Sequence, residues 1–543
     1  MRTLLRKNSV PEMILFFVGT CLFITNTNIP NRFARILFFL IALLVYAFSK
    51  SLITAHVLRT EAVFSRNNQF VSYGFLLIEF GVMLNLYIIG FTGENPLSEI
   101  VNYGFGLLKP VAVFLSIVLI FRTMGKYDDY SWKSTSVRSF LISFFLIWGF
   151  AIPGSVSAEN LGRAFAVPAA EAFLIVISLM MLYSILCSPG TSPLDKLIRR
   201  IFSALTRFRY STLAIVGIHV AFSGLITVLQ MAHVFDSQSM LSARVAAVEF
   251  LKLSLLSALA AIQCINKAKL CAAENSGTEP DKTTESIEKL RAALHKYQTK
   301  SCIRWGTLLF LFFITMIPLI ACGEMGTCLI LGAMLILISF SSQNNHFGII
   351  SMALFALLYM ILWKWHVRGV SDSFLGEKLN RLFALDRFTQ INDMNDIIDE
   401  SNVLFQLIPY KVNLVGQLNT RVEDFSYLNI ISVFGVLFAG AFMIYLLLIP
   451  FSALQFLNAE AERRKNSLSL YDYNLLTISK WPLLLFIANS AVHIISNLGI
   501  FIFTGVTLPL VSNGFMNTIV TVVSFVPVIR CLGRAEYEER KNH

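Results

Sequence analysis

The chain has 543 residues, is 56% hydrophobic and only 14% charged, and carries a formal net charge of +11. It is far more apolar than an ordinary soluble domain, which excludes a soluble globular enzyme. Its Lys and Arg are spread through the segments between apolar runs, so they report membrane orientation and are not a nucleic-acid-binding patch. Eight cysteines stand singly without CxxC spacing, and eight histidines form neither HExxH nor a clustered pair. The sequence carries no signature of thiol redox or zinc chemistry.

Apolar runs of about 16–24 residues recur along the chain, and most are long enough to cross about 30 Å of hydrocarbon as a helix. About fourteen are predicted, near 11–28, 35–54, 70–92, 102–122, 138–154, 168–187, 211–232, 244–265, 303–322, 326–341, 347–365, 427–450, 481–503 and 514–530. The alternation of lipid-facing barrel strands is missing, so the fold class is all-α, a polytopic integral membrane protein. The first run follows Arg2, Arg6 and Lys7, as in a signal peptide, but no small-residue cleavage site follows Ile24–Thr27. A retained anchor is expected.

Basic residues cluster in 122–138, 196–209, 267–304, 463–465 and the tail 532–543. Placing these in the cytoplasm puts both termini inside and leaves the segment 366–426 on the extracytoplasmic side. Arg32 and Arg35, in the first outer turn, are discordant. Two polar insertions are expected inside. Residues 272–300 contain SIEKLRAALHKYQ, where Ile287, Leu290 and Leu294 make one helical stripe, either a partner-docking helix or a solvated one. Residues 456–480 read as a polar connection.

Ionisable groups inside apolar runs are functional candidates by default, although many are structural ion pairs. Glu79 and Lys109 lie in adjacent early spans. His219 stands alone in mid-span, where a satisfied core histidine competes with a proton relay. Glu249 and Lys252, at i,i+3 near the outer end of their span, are spaced for an ion pair.

The segment 366–424 concentrates fifteen Asp, Glu, Lys and Arg residues between two apolar runs and closes on Asp424. Four local patterns accompany it in order. They are Val248-Glu249-Phe250-Leu251-Lys252-Leu253, then Gly323-Glu324-Met325-Gly326-Thr327. Next comes Arg381-Leu382-Phe383-Ala384-Leu385-Asp386, with a later Glu423-Asp424-Phe425 and Gly435. The last is Asn497-Leu498-Gly499, with Thr504-Gly505-Val506-Thr507-Leu508-Pro509-Leu510-Val511-Ser512-Asn513-Gly514.

Together these resemble the SEDS family, the shape, elongation, division and sporulation proteins of bacteria, over about 244–530. The corresponding family patterns are PSEFxKL, PDLGTA, RLxAFxDP with TDFIFA and ELG, and NxG with TGxPLPFxSxGG. The chain departs from them at several places. Glu423 replaces Thr, Ser432 or Val433 stands where ELG has its carboxylate, and Gly323 replaces the proline of PDLG. Only Gly416 remains in Ser401–Thr420, where the family has a Gly-Gly stretch, and Ser512-Asn513-Gly514-Phe515 replaces Ser-x-Gly-Gly.

The resemblance implies a ten-helix core over 126–531, preceded by about four additional N-terminal transmembrane helices in 1–125. It implies a peptidoglycan glycosyltransferase that polymerises undecaprenyl-linked lipid II at the outer face of the bacterial cytoplasmic membrane. The implied partner is a class B penicillin-binding protein, a transpeptidase. The family's essential aspartate maps onto Asp424, the expected general base for an inverting transfer. Glu423 could raise its neighbour's pKa, and capping of the helix that follows is the competing role for both acids.

The departing diphosphate needs cationic partners. Arg381 is preferred because it matches the family's arginine, with Arg387, Lys411, Arg421 and Lys252 as further candidates; pairing with Asp386, Asp393, Asp396, Asp399 and Glu400 is the alternative use of these residues. No cofactor is expected, although that acidic cluster leaves a divalent cation open. Glu249 and Lys252 are expected to hold the helix facing the groove, and Ser512 lies in the turn that closes it. A lipid-linked precursor flippase, a non-catalytic scaffold of a cell-wall synthase complex, and a related polymer ligase acting on another lipid-linked glycan remain as alternatives.

Overall fold

The computed structural model describes residues 10–26, 132–151, most of 200–234, 241–275, most of 303–341, 425–463, 470–498 and 506–512, with positions within 73–84, 169–176, 350–357 and 520–531 and residue 116. Among these the regular structure is helical, without a strand. The helices are α1 (Val10–Asn26), α2 (Trp132–Ala151), α3 (Ser211–Met231), α4 (Leu241–Asn275), α5 (Trp305–Ala321), α6 (Met325–Ser341), α7 (Ser426–Phe434), α8 (Val436–Arg463) and α9 (Leu470–Asn497).

Ser211–Met231, Ala247–Ala268, Val436–Ala461 and Leu476–Asn497 are each long and apolar enough to cross a membrane. Shorter apolar helices occupy Ile14–Phe23, Phe140–Gly149, Trp305–Ala321 and Gly326–Ile338. All eight fall on or overlap runs expected from the sequence. Four spans, and not fourteen, are therefore found among the described residues; runs such as 35–54 lie outside them.

Three boundaries differ from the sequence reading. The run 427–450 is not one helix but α7 and α8, broken at Gly435, whose φ of 82° and ψ of 163° belong to glycine almost alone. Gly435 N–H still donates to the Ile431 carbonyl (2.8 Å), closing α7, and the Gly435 carbonyl accepts from Ala439 N–H (3.0 Å), opening α8. The polar connection 456–480 is largely helical, with α8 running to Arg463 and α9 starting at Leu470. Ala, Glu, Arg and Leu there favour helix as strongly as the apolar part does, so the helices outrun their hydrophobic windows. For the same reason α4 continues through Ala272–Asn275, into the segment read as a loop.

Two compact units make up the chain: unit 1 is Met1–Ile198, Gln390–Asn458 and His493–His543, and unit 2 is Arg199–Thr389 and Ala459–Val492. In unit 2, α3 packs against α4 and α5, and α5 pairs with α6. The buried face of α3 carries Ser211, Ile215, His219, Ser223, Ile226 and Gln230, whereas Leu213, Ile218, Leu225 and Val228 are exposed. Polar side chains face the bundle and apolar ones face outward, as suits a helix bathed in lipid.

His219 ties the three helices together. Its Nε2 lies 2.8 Å from Thr315 Oγ1 on α5, and its Nδ1 lies 2.9 Å from Ser254 Oγ on α4. Thr315 already donates its proton to the Leu311 carbonyl (2.6 Å), so His219 Nε2–H donates to Thr315 and Ser254 donates to Nδ1. This is the satisfied core histidine, and both ring nitrogens are engaged.

In unit 1, α1 packs on α7. The described residues of 73–84 are helical, and Tyr73, Leu76, Leu77, Phe80, Met83 and Leu84 form one buried stripe. Phe80 sits among Phe434, Phe438 and Phe442, with ring centroids 5.3–5.6 Å apart in edge-on or tilted geometry that favours aromatic pairs. One turn away, Tyr73 Oη donates to the Leu446 carbonyl at 2.6 Å. Pro450 explains that contact. It lies inside α8, and having no N–H it leaves the carbonyl four residues earlier without a helical partner. The tyrosine supplies the missing donor.

Candidate functional site

α7 starts with a deficit. Phe425 stands at its N-cap position and has no polar side chain to give, so the first amides of the helix need acceptors from elsewhere. The last turn of α9 provides them. His493 and Asn497 are four residues apart, hence on one helical face, and both are fully buried. Tyr427 N–H donates to His493 Nε2 at 3.3 Å, and Leu428 N–H donates to Asn497 Oδ1 at 3.2 Å.

The tautomer of His493 follows from its partners. An amide can only donate, so Nε2 is the unprotonated nitrogen. The proton therefore sits on Nδ1, which donates to the Val506 carbonyl at 2.5 Å. One neutral imidazole thus joins the start of α7 to the segment that follows α9.

That segment folds into a tight turn. Ser512 N–H donates to the Leu508 carbonyl (2.9 Å), and Leu508 N–H donates back to Ser512 Oγ (2.7 Å). The Ser512 hydroxyl also meets Ser426 Oγ at 2.8 Å, in the first turn of α7. Leu510 takes φ 65°, a left-handed backbone that costs a non-glycine residue about 1–2 kcal/mol. The turn keeps that strain because its surroundings hold it. At Gly81 an added Cβ would strike the Val511 carbonyl oxygen and lie 2.8 Å from the carbonyl carbon. Glycine is required there for the helix to approach the turn this closely.

Of the residues expected at the site, Ser512 lies in this knot, buried and bonded to both the turn and α7. Asp424, Arg381 and Arg421 lie outside the described residues, as do the acidic cluster 386–400 and Glu79 and Lys109 of the early apolar runs. Glu249 and Lys252 belong to unit 2, inside α4, where Lys252 Nζ meets Glu249 Oε1 at 2.5 Å and both residues are buried. The ion pair allowed by their spacing is formed. Both partners sit on one face of the same helix, as their i,i+3 spacing requires.

Gly323–Thr327 lies where α5 turns into α6, with Glu324 N–H bonded to the Leu319 carbonyl at 2.8 Å. Among the described residues no group of three or more His, Cys, Asp or Glu side chains could hold a metal ion. The chain matches no family model, no curated protein and no solved structure.

His493 escaped the sequence reading. A single histidine in an apolar run gives no local sign of its partners, which are backbone groups 66 and 13 residues away. The available signal was its i,i+4 pairing with Asn497, which puts two polar side chains on one face at the end of a span.

Proposed function

We propose that this chain is a peptidoglycan glycosyltransferase of the bacterial cytoplasmic membrane, polymerising lipid II at the outer face with Asp424 as general base. One observation supports the reading. The segment that follows Asp424 meets Asn497 and the 506–512 turn in a single buried knot, and these are stretches that carry the resemblance to SEDS proteins. Residues that are separated in the chain but jointly characteristic of a family converge in space when they serve one site.

In this mechanism Asp424 takes the proton from the acceptor hydroxyl as that oxygen attacks the donor's anomeric carbon. Attack from the side opposite the diphosphate inverts the configuration. Arg381 and Arg421 stabilise the leaving diphosphate, for which guanidinium groups suit phosphate oxygens bidentately. A class B penicillin-binding protein crosslinks the product, and in this reading the segment 366–426 faces the extracytoplasmic side.

The test is incubation of the purified protein with labelled lipid II, with and without such a transpeptidase. Wild type yields glycan ladders, and Asp424→Asn lowers their rate by at least ~100-fold while leaving thermal stability unchanged. Ladders untouched by the substitution would remove Asp424 from the chemistry. In intact cells, a membrane-impermeant thiol reagent should label Glu423→Cys.

A further inference from the structure

We infer that the segment 200–210, at the start of α3, is a docking surface for anionic phospholipid headgroups, with Arg200 and Arg207 as the selecting cations. The surface is independent of the reaction proposed for the chain. In the sequence, residues 195–210 hold five Lys and Arg residues against the single acid Asp195. They directly precede Ser211–Met231, which is long and apolar enough to cross a membrane. A cluster of four or more cations beside a span attracts acidic lipids.

The structure adds what the sequence pattern alone does not carry. Arg200, Ser203, Ala204, Leu205 and Arg207 are helical, and both arginines are exposed. Neither arginine forms an ion pair among the described residues. Phe208 and Tyr210 are 49% and 56% exposed, with ring centroids 6.0 Å apart in edge-on geometry. Beyond them, Leu213, Ile218, Leu225 and Val228 of α3 are exposed as well. Cations, then aromatic rings, then aliphatic side chains follow one another along the chain. This is the order of headgroup, interface and hydrocarbon in a leaflet.

The backbone keeps these layers close together. Phe208 N–H donates to the Ala204 carbonyl at 2.9 Å, ending the basic helical segment. Ser211 N–H then reaches the Phe208 carbonyl (3.3 Å), and Ala214 N–H on the Tyr210 carbonyl (2.9 Å) opens α3. Arg207 therefore stands within about 6 Å of the start of the span, at 1.5 Å per residue. Arg200 lies about two helical turns further out, so the two cations offer a spread of charge and not a single point. A free phosphate ion would use the arginines alone, whereas a lipid uses the arginines, the rings and the apolar face at once.

The experiment places the full-length protein in phosphatidylcholine nanodiscs that carry traces of photoreactive phosphatidylglycerol and photoreactive phosphatidylcholine together. Mass spectrometry reads the adducts of each lipid on peptides covering 200–218, and their ratio is the measurement. Both yields come from one preparation, so any loss of folded protein cancels. Wild type should favour phosphatidylglycerol by roughly 30-fold, about 5-fold for each arginine. Arg200→Gln and Arg207→Gln should each lower the ratio about 5-fold, and the double variant should bring it near one. Arg207→Lys, which keeps the charge, should retain most of the preference, and salt at about 1 M should remove most of it. Tyr210→Ala should lower both yields alike and leave the ratio within about 2-fold.

Equal yields of the two lipids on the wild type overturn the proposal, as does a ratio unchanged in the double variant. A ratio that falls as far in Tyr210→Ala also overturns it, because depth in the leaflet would then account for the labelling. Loss of the phosphatidylglycerol adducts on adding inorganic phosphate at constant ionic strength overturns it in favour of a free-anion site.

Discussion

Two buried histidines organise the two units, and they do so in opposite ways. In unit 2, His219 lies between the hydroxyls of Ser254 and Thr315, which belong to helices that need no help with their backbone bonds. In unit 1, His493 lies between the Tyr427 N–H and the Val506 carbonyl. A hydroxyl rotates and can donate or accept, whereas a peptide group can do only one of these. His219 therefore joins finished helices and tolerates adjustment, while His493 completes segments that are not self-sufficient. The same side chain is a fastener in one unit and part of the backbone's hydrogen-bond network in the other.

The comparison is broken most directly by His493→Phe, which leaves a buried N–H and a buried C=O without partners. At about 1–3 kcal/mol for each orphaned group, a loss of roughly 2–6 kcal/mol is expected in detergent-based unfolding. Next is Gly81→Ala, where the new Cβ meets Val511 backbone that cannot swing aside. About 1–3 kcal/mol is expected, with loss of the close approach between the helix and the 508–512 turn.

His219→Phe should cost less, about 1–2 kcal/mol, because Thr315 already bonds within its own helix and Ser254 can do the same. If His219→Phe proves as damaging as His493→Phe, the distinction drawn between the units is wrong. The smallest effect is expected of Tyr73→Phe, about 1 kcal/mol, and it should nearly vanish when Pro450→Ala returns a helical donor to the Leu446 carbonyl. A double-mutant cycle on these two positions measures that coupling.

Much of this was legible in the sequence because hydrophobic length is a strong local signal. The runs at 211–232, 303–322 and 326–341 appear as helices within a few residues of their expected ends. The Glu249–Lys252 pair was legible because both partners sit on one helix. What was not legible depended on distant partners. A glycine within an apolar run, such as Gly435, does not announce a break, since glycine is common in membrane helices. The polar tail of α8 looked like a loop because polarity was read as the end of a helix, whereas it marks only the end of the apolar window. At the candidate site, the order of motifs was visible in the sequence, but the contacts that unite 426–428 with 493–497 and 506–512 were not.

The tyrosine that meets α8 one turn before Pro450 comes from the first hundred residues, outside the stretch 244–530 that carries the family resemblance. The described residues within 73–84 are thus packed against α7, α8 and the 508–512 turn. A shortened gene beginning at residue 126 would lack the Tyr73 hydroxyl that donates to α8, the Phe80 ring packed on Phe434 and the glycine beneath Val511. Such a product should be cleared by the cell's proteases, and supplying the missing piece as a separate polypeptide is the way to recover it.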